Sequence, residues 1–118
     1  MYVCSPAVLT KELNINGYPD IYLAGQITGV EGYVESAMVG LITGIAVSKK
    51  MRCEQFCLPP ASTMSGSLIR YILYANPKSF TPMNAMFNII PGYNKNKKME
   101  LAENALELIR KWRDNEYE

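Results

Sequence analysis

The 118-residue sequence contains no histidine. The commonest general base and metal ligand near neutral pH is therefore missing, which argues against a self-contained hydrolase and against a zinc site. Cysteine is scarce as well. Cys4, Cys53 and Cys57 are an odd number with no secretory leader before them, so reduced thiols in a cytoplasmic protein are expected rather than a disulfide framework. Neither sign of charge dominates. Twelve basic against eleven acidic residues leave +1, which excludes the uniformly basic footprint of a free-standing nucleic-acid binder and confines any RNA contact to local patches. The longest uncharged stretch of the central apolar segment, Ser36 to Ser48, falls short of the roughly 20 residues of a membrane span, so no membrane role is expected. Internal repeats and low-complexity tracts are also missing.

What remains is the composition of an ordinary globular protein, 48% hydrophobic and 19% charged. One small domain of this size can bury roughly two thirds of its unfolded surface. With so few chemical groups of its own, such a domain would borrow its chemistry from a cofactor or a partner.

Asn14, Asn16, Gly17, Pro19 and Asp20 form a turn-rich cluster, and Ile21 to Ala24 after it read as a short buried strand. Gly25, Gly29 and Gly32 punctuate the next eight residues. Val34 to Lys49 then have helical length and finish beside Lys49, Lys50 and Arg52, cations that suit a helix carboxy terminus. Ser36, Gly40, Gly44 and Ser48 recur every four residues, so the spacing predicts a small-residue stripe packed against a sheet or another helix. Leu58-Pro59-Pro60 is the strongest break. Cap residues at Ser62 to Ser65 predict a second helix running through Leu73 and ended by Pro77. Phe80 to Pro91 lack a clean period and read as a packed irregular arm with at most one strand. From Lys97 onward, Leu101, Ala105, Leu108, Ile109 and Trp112 mark a terminal amphipathic helix.

Of these features the glycine loop has the clearest chemistry. Glycines remove the Cβ atoms that would block a ligand, and a helix starting near Tyr33 aims backbone N–H groups and about half a positive charge at the loop. Gly25-x3-Gly29-x2-Gly32 is neither the dinucleotide fingerprint GxGxxG nor the phosphate loop GxxxxGK[ST], so a plain strand-to-helix turn explains the spacing equally well. Cys53 and Cys57 would share a face if they were helical, but incidental thiols are the usual case; Cys4 falls in an end expected to fray. Two basic groups, Lys49-Lys50-Arg52 and Lys95-Lys97-Lys98 with Tyr93 beside it, are candidates for RNA phosphates and a stacked base.

The literal run IYLAGQITGVEGYVESAMVGLITG (Ile21 to Gly44) resembles the carboxy-terminal flavin-binding segment of the folate- and FAD-dependent tRNA (uracil-5-)-methyltransferases, relatives of the tRNA wobble-uridine modification flavoproteins. The likeness continues through PPASTMSGSLIRYI (Pro59 to Ile72) and NPKSFTPMNAMFNIIP (Asn76 to Pro91), where Pro-Met-Asn-Ala is similar to a recurrent family phrase. GVEGY and PMNA favour the uracil-methylating branch.

The resemblance implies an α/β fold: the carboxy-terminal fragment of a glutathione-reductase-like FAD-binding domain up to residue 58, with a helical extension over 59–118 packing on it. It implies that Gly25 and Gln26 approach the ribityl and pyrophosphate side of FAD, and that Ile27, Thr28 and Gly29 form the loop wall. Glu31, Gly32 and Tyr33 would begin the helix facing the flavin's pyrimidine ring. Methylenetetrahydrofolate and NAD(P)H would be co-substrates, and the target a T-loop uridine of tRNA or a ribosomal uridine. The amino-terminal glycine fingerprint and reactive cysteines of a complete member are not in this sequence. The chain by itself is therefore expected to be colourless and inactive, a fragment or one half of a split gene whose partner is the missing FAD-binding portion. The competing reading is a noncatalytic module that docks on RNA or protein through Met83, Met86, Phe87 and Trp112.

Overall fold

The computed structural model describes residues 1–117. It is mixed and mostly helical. A short helix α1 (Ser5–Val8) leads to an antiparallel ribbon of β1 (Asn14–Ile15) and β2 (Tyr18–Tyr22), paired Asn14 to Tyr22 and Ile15 to Tyr18 across an irregular register. A 3-10 turn (Gly25–Thr28) then delivers the chain to α2 (Tyr33–Met51), which is followed by α3 (Met64–Tyr74) and, after further 3-10 turns, α4 (Lys98–Tyr117).

The expected buried strand is corrected in two respects. It begins at Tyr18 and ends at Tyr22, and it is exposed, with Ile21 at 49%. Among the described residues the sheet has two strands, and a two-stranded ribbon cannot cover both its own faces. Leu13 just before β1 is fully buried in the core, and Ile15, Tyr22 and Leu23 are half-buried against it.

Helix α2 buries Val39, Ile42, Ile45 and Ala46, a three-and-four spacing that puts them on one face. The small-residue stripe lies elsewhere. Gly40 and Ile42 are two residues apart, about 200° around the helix. A Cβ added at Gly40 or Gly44 would meet nothing within 4 Å, and Gly44, Ser48 and the neighbouring Leu41 are exposed. The expected close packing on this stripe is thus absent from the described residues, because the larger apolar side chains claim the core face.

Thr63 starts α3 as the sequence predicts: its Oγ accepts from the Gly66 N–H at 2.9 Å and donates to the Pro60 carbonyl at 2.6 Å. Gly66 is obligatory, since a Cβ there would lie 1.9 Å from the Pro60 carbonyl oxygen. Leu68, Ile69, Ile72 and Leu73 join Leu9, Leu13, Val30, Val39, Ile42 and Phe80 in one core. Each such side chain contributes about 1.5–3 kcal/mol by leaving water. Residues from both sides of the double proline supply this core. Helix α4 half-buries the predicted face, Leu101, Ala105, Leu108, Ile109 and Trp112; of these Trp112 packs on the core, and its indole N–H donates to the Cys57 carbonyl at 2.8 Å.

Candidate functional site

The glycine loop is built by three segments far apart in sequence. From the amino terminus, the Val3 amide donates to the Ile27 carbonyl at 2.9 Å, and the buried Ser5 hydroxyl donates to the Thr28 carbonyl at 2.5 Å. The terminus is therefore tied down rather than frayed, and Cys4 lies half-buried with its thiol 3.5 Å from the Pro77 carbonyl. Nothing in the local pattern around Ser5 announces this role. Thr28 is buried too, its hydroxyl donating to the Gly25 carbonyl at 2.7 Å.

The irregular arm supplies the third segment. Met83 forms a parallel bridge with Val30: its amide donates to the Gly29 carbonyl at 2.9 Å, and its carbonyl accepts from the Glu31 amide at 3.0 Å. The Asn84 side chain donates to the Glu31 carbonyl at 3.3 Å, and the Ala85 amide donates to a Glu35 carboxylate oxygen at 3.1 Å. The PMNA phrase and the GVEGY phrase, more than fifty residues apart, are thus one hydrogen-bonded clamp. Phe80 closes it from behind. Its ring is stacked on Tyr71 at 5.4 Å, edge-on to Tyr2 at 6.0 Å, and so close to Gly29 that a Cβ there would lie 2.5 Å from the ring.

The clamp sorts the predicted loop residues. Thr28, Gly29 and Val30 face inward and are buried, whereas Gln26, Ile27, Glu31, Gly32 and Tyr33 are exposed and Gly25 is half-exposed. Thr28 and Gly29 hold the loop rather than lining its open side. Helix α2 starts at Tyr33, with Gly32 at φ +104° as its amino cap and no side chain capping it. The amides of Tyr33 and Val34 make no hydrogen bond among the described residues. Glu35 partly answers the positive helix end. The Ala85 amide first, then its own backbone amide and the Asn84 side chain, hold its carboxyl below the ordinary 4.5 despite some desolvation. The open side of the loop therefore presents two free N–H groups at a helix end that the Glu35 carboxylate, folded back beside Gly32, already partly neutralises.

The other candidates separate cleanly. Cys53 and Cys57 do not share a helical face, because α2 ends at Met51 and both lie in the exposed chain after it. The first basic group is neutralised within the fold: Lys49 is buried and 3.2 Å from Glu54, Arg52 is 3.5 Å from the same carboxylate, and Lys50 is 3.0 Å from Asp20. The Asp20 hydrogen bond raises the Lys50 pKa against opposing desolvation. Lys95, Lys97 and Lys98 have no ion pair among the described residues; Tyr93, Lys95 and Lys98 border one open hollow, with Lys97 next to it in sequence. Met83 and Trp112, expected as docking anchors, are half-buried against the core. Among the described residues no group of acidic and thiol side chains could hold a metal ion, and no helix is long and apolar enough to cross a membrane.

The same stretch that forms the loop and α2 lies within a match to the family described as Glucose inhibited division protein A, which covers residues 1–55. Over almost its whole length the chain is also similar to proteins named methylenetetrahydrofolate–tRNA-(uracil-5-)-methyltransferase TrmFO. It is 39% identical over 121 residues to the one from Desulforamulus reducens, covering 98% of this chain and 27% of the relative. With that of Staphylococcus saprophyticus it shares 45% over 112 residues, 89% of this chain and 26% of the relative. The chain is similar to a segment of these relatives. It spans about a quarter of the length of the curated relatives it matches, and in both of these the likeness extends past the loop into the arm and beyond.

Proposed function

We propose that the chain is the carboxy-terminal part of a flavoprotein that transfers a one-carbon unit from methylenetetrahydrofolate to carbon 5 of a uridine in tRNA. Its own contribution is the loop from Gly25 to Tyr33, set against the isoalloxazine side of FAD. The observation that carries this reading is the clamp: two phrases typical of the methyltransferases are hydrogen-bonded to each other and together leave the start of α2 open. The residues present fit the group. The Tyr33 and Val34 amides are free to donate and the space at the Gly25 Cβ position is open, while the Glu35 carboxylate lies beside Gly32, 2.5 Å from where a Cβ would stand.

When bound, FAD would supply the redox chemistry, with NAD(P)H as the reductant. The residues of this chain would orient the pyrimidine end of the ring and stabilise negative charge there through preorganised N–H dipoles. Glu35 acts as a positioning residue, since its carboxylate fixes the arm to the helix start. The exposed face of α2 around Leu41 and Gly44, with the ribbon, forms the surface on which the amino-terminal FAD-binding portion of the family's length packs, and the segments before and after Pro59 act as one unit because they share a core.

The test is a complete flavoprotein of this family carrying the counterpart of Gly32→Val. Loss of bound flavin, read from its visible absorbance after purification, is the expected result. Unchanged flavin content would refute the assignment of the loop.

A further inference from the structure

Phe87, Tyr93, Lys95 and Lys98, with Met86 and Asn88, enclose an open hollow of about 490 Å³ between the arm and the start of α4. Its lining contains two lysines and no acidic side chain. The Lys98 ammonium sits 4.9 Å from the centre of the Phe87 ring, and the Asn94 side chain, accepting from the Asn96 amide at 3.0 Å, fixes the turn that presents Lys95 and Lys97. The contrast with the Lys49 to Arg52 group decides what this place is for. There every cation has a carboxylate; here, among the described residues, none has, and the charge is set beside aromatic and thioether surface.

We propose that this hollow takes one nucleotide of single-stranded RNA, its phosphate on Lys95 and Lys98 and its base against Tyr93, with the Asn88 amide at the base edge. A free phosphate would use only the lysines, whereas the ring of Tyr93 and the apolar wall of Met86 and Phe87 match the face of a base. An Asn side chain offers both a donor and an acceptor, the pattern a base edge requires. The proposal rests on the reading of the chain as part of an RNA-modifying enzyme and deepens it, because the arm connects the two places. Met83 is paired with the glycine loop and Met86 borders the hollow, so their Cα atoms are separated by at most about 11 Å. The arm thus ties the hollow to the loop through three residues of continuous chain.

The experiment is fluorescence anisotropy of the purified chain with a labelled ten-residue oligouridylate and with a duplex RNA of equal length, at several salt concentrations. The single strand should bind more tightly than the duplex. Lys95→Glu with Lys98→Glu should weaken single-strand binding at least tenfold and flatten its salt dependence by about 0.7 in log–log slope for each phosphate that is no longer neutralised. Tyr93→Ala should weaken it by about fivefold or more and Tyr93→Phe should restore it, since stacking needs the ring and not the hydroxyl. Absence of RNA binding, equal binding of single strand and duplex, or unchanged affinity in the lysine or Tyr93→Ala variants would each overturn the proposal. Flavin content of the complete enzyme reports the loop independently, so a failure of the flavin assignment is distinguishable from a failure of the hollow.

Discussion

Gly29 and Gly25 occupy similar backbone conformations, φ +96° and +82°, but differ in what surrounds them. Replacing either by alanine places a Cβ in the left-handed region, at a cost of about 1–2 kcal/mol. At Gly25 that is the whole cost, because nothing lies within 4 Å of the new atom. At Gly29 the Cβ would be 2.5 Å and 2.7 Å from two carbons of the Phe80 ring, which is 8% exposed and stacked on Tyr71. The ring cannot swing away without giving up its place in the core, so overpacking adds about 1–3 kcal/mol. Gly29→Ala should therefore cost about 2–5 kcal/mol in total. Urea unfolding of the purified chain, followed by circular dichroism, measures the difference. Phe80→Leu supplies the second arm of a double-mutant cycle: in the Gly29→Ala background it should cost about 1 kcal/mol or more less than in the parent, because it also relieves the clash. Equal costs for the two glycine variants, or strict additivity with Phe80→Leu, would refute the claim that Phe80 seals the loop.

Gly44→Ala should stabilise the isolated chain by up to about 1 kcal/mol, since alanine is the better helix former and meets no neighbour, whereas in a complete family member it should lower stability; thermal melts of both check the claim that the stripe is a packing surface. Glu35 titrates below 4.5 when folded, so its hold on the arm is fully present above the unfolded value and is lost as pH falls through the depressed folded value. The protection factor of the Ala85 amide, its exchange rate corrected for the intrinsic pH dependence, should fall over that acid window, and Glu35→Gln should abolish the pH dependence of that protection. Trp112→Phe should cost about 0.5–1.5 kcal/mol by removing the bond to the Cys57 carbonyl and free α4 first, seen as exchange of its amides before those of α3. A flavin titration of the isolated chain should give no stoichiometric binding, because the loop offers one helix end to the ring and nothing for the adenylate.

Elements with a strong local signal are legible in the sequence. Helix α3 follows from Thr63, its apolar spacing and Pro77, and α4 from the period of Leu101 to Trp112. The start of α2 at Tyr33 follows from the glycines alone. What is not legible depends on neighbours. Ile21 looks like a buried strand residue, but burial depends on a covering layer that the described residues do not supply there. The Gly40 and Gly44 stripe is a correct reading of helical geometry attached to the wrong face, because Val39 and Ile42 win the core by size. Ser5 carries no periodic or capping signature that would tie it to Thr28, so its buried hydrogen bond is invisible in the sequence. The basic groups show the same limit. Lys49, Lys50 and Arg52 read as a patch, yet Glu54 comes from the turn directly after them and Asp20 from thirty residues earlier.

The loop and the arm are recognisable separately, and their pairing explains why both are needed. A glycine-rich turn on its own is entropically costly to fix, since glycine loses more backbone freedom on ordering than any other residue. The bridge at Val30 and Met83, the Ala85 amide on Glu35 and the Phe80 ring behind Gly29 remove that freedom before any ligand arrives. A helix end stabilises developing charge only when it is already in place, so that no reorganisation is needed at the moment of reaction. By this logic the arm's contribution to a flavin site lies in rigidity rather than contact. A variant that cuts the clamp without touching the open side, such as Phe80→Ala, should loosen flavin binding in the complete enzyme even though Phe80 is buried behind the loop. Unaltered affinity with a demonstrably mobile loop would show that preorganisation by the arm is not what the site requires.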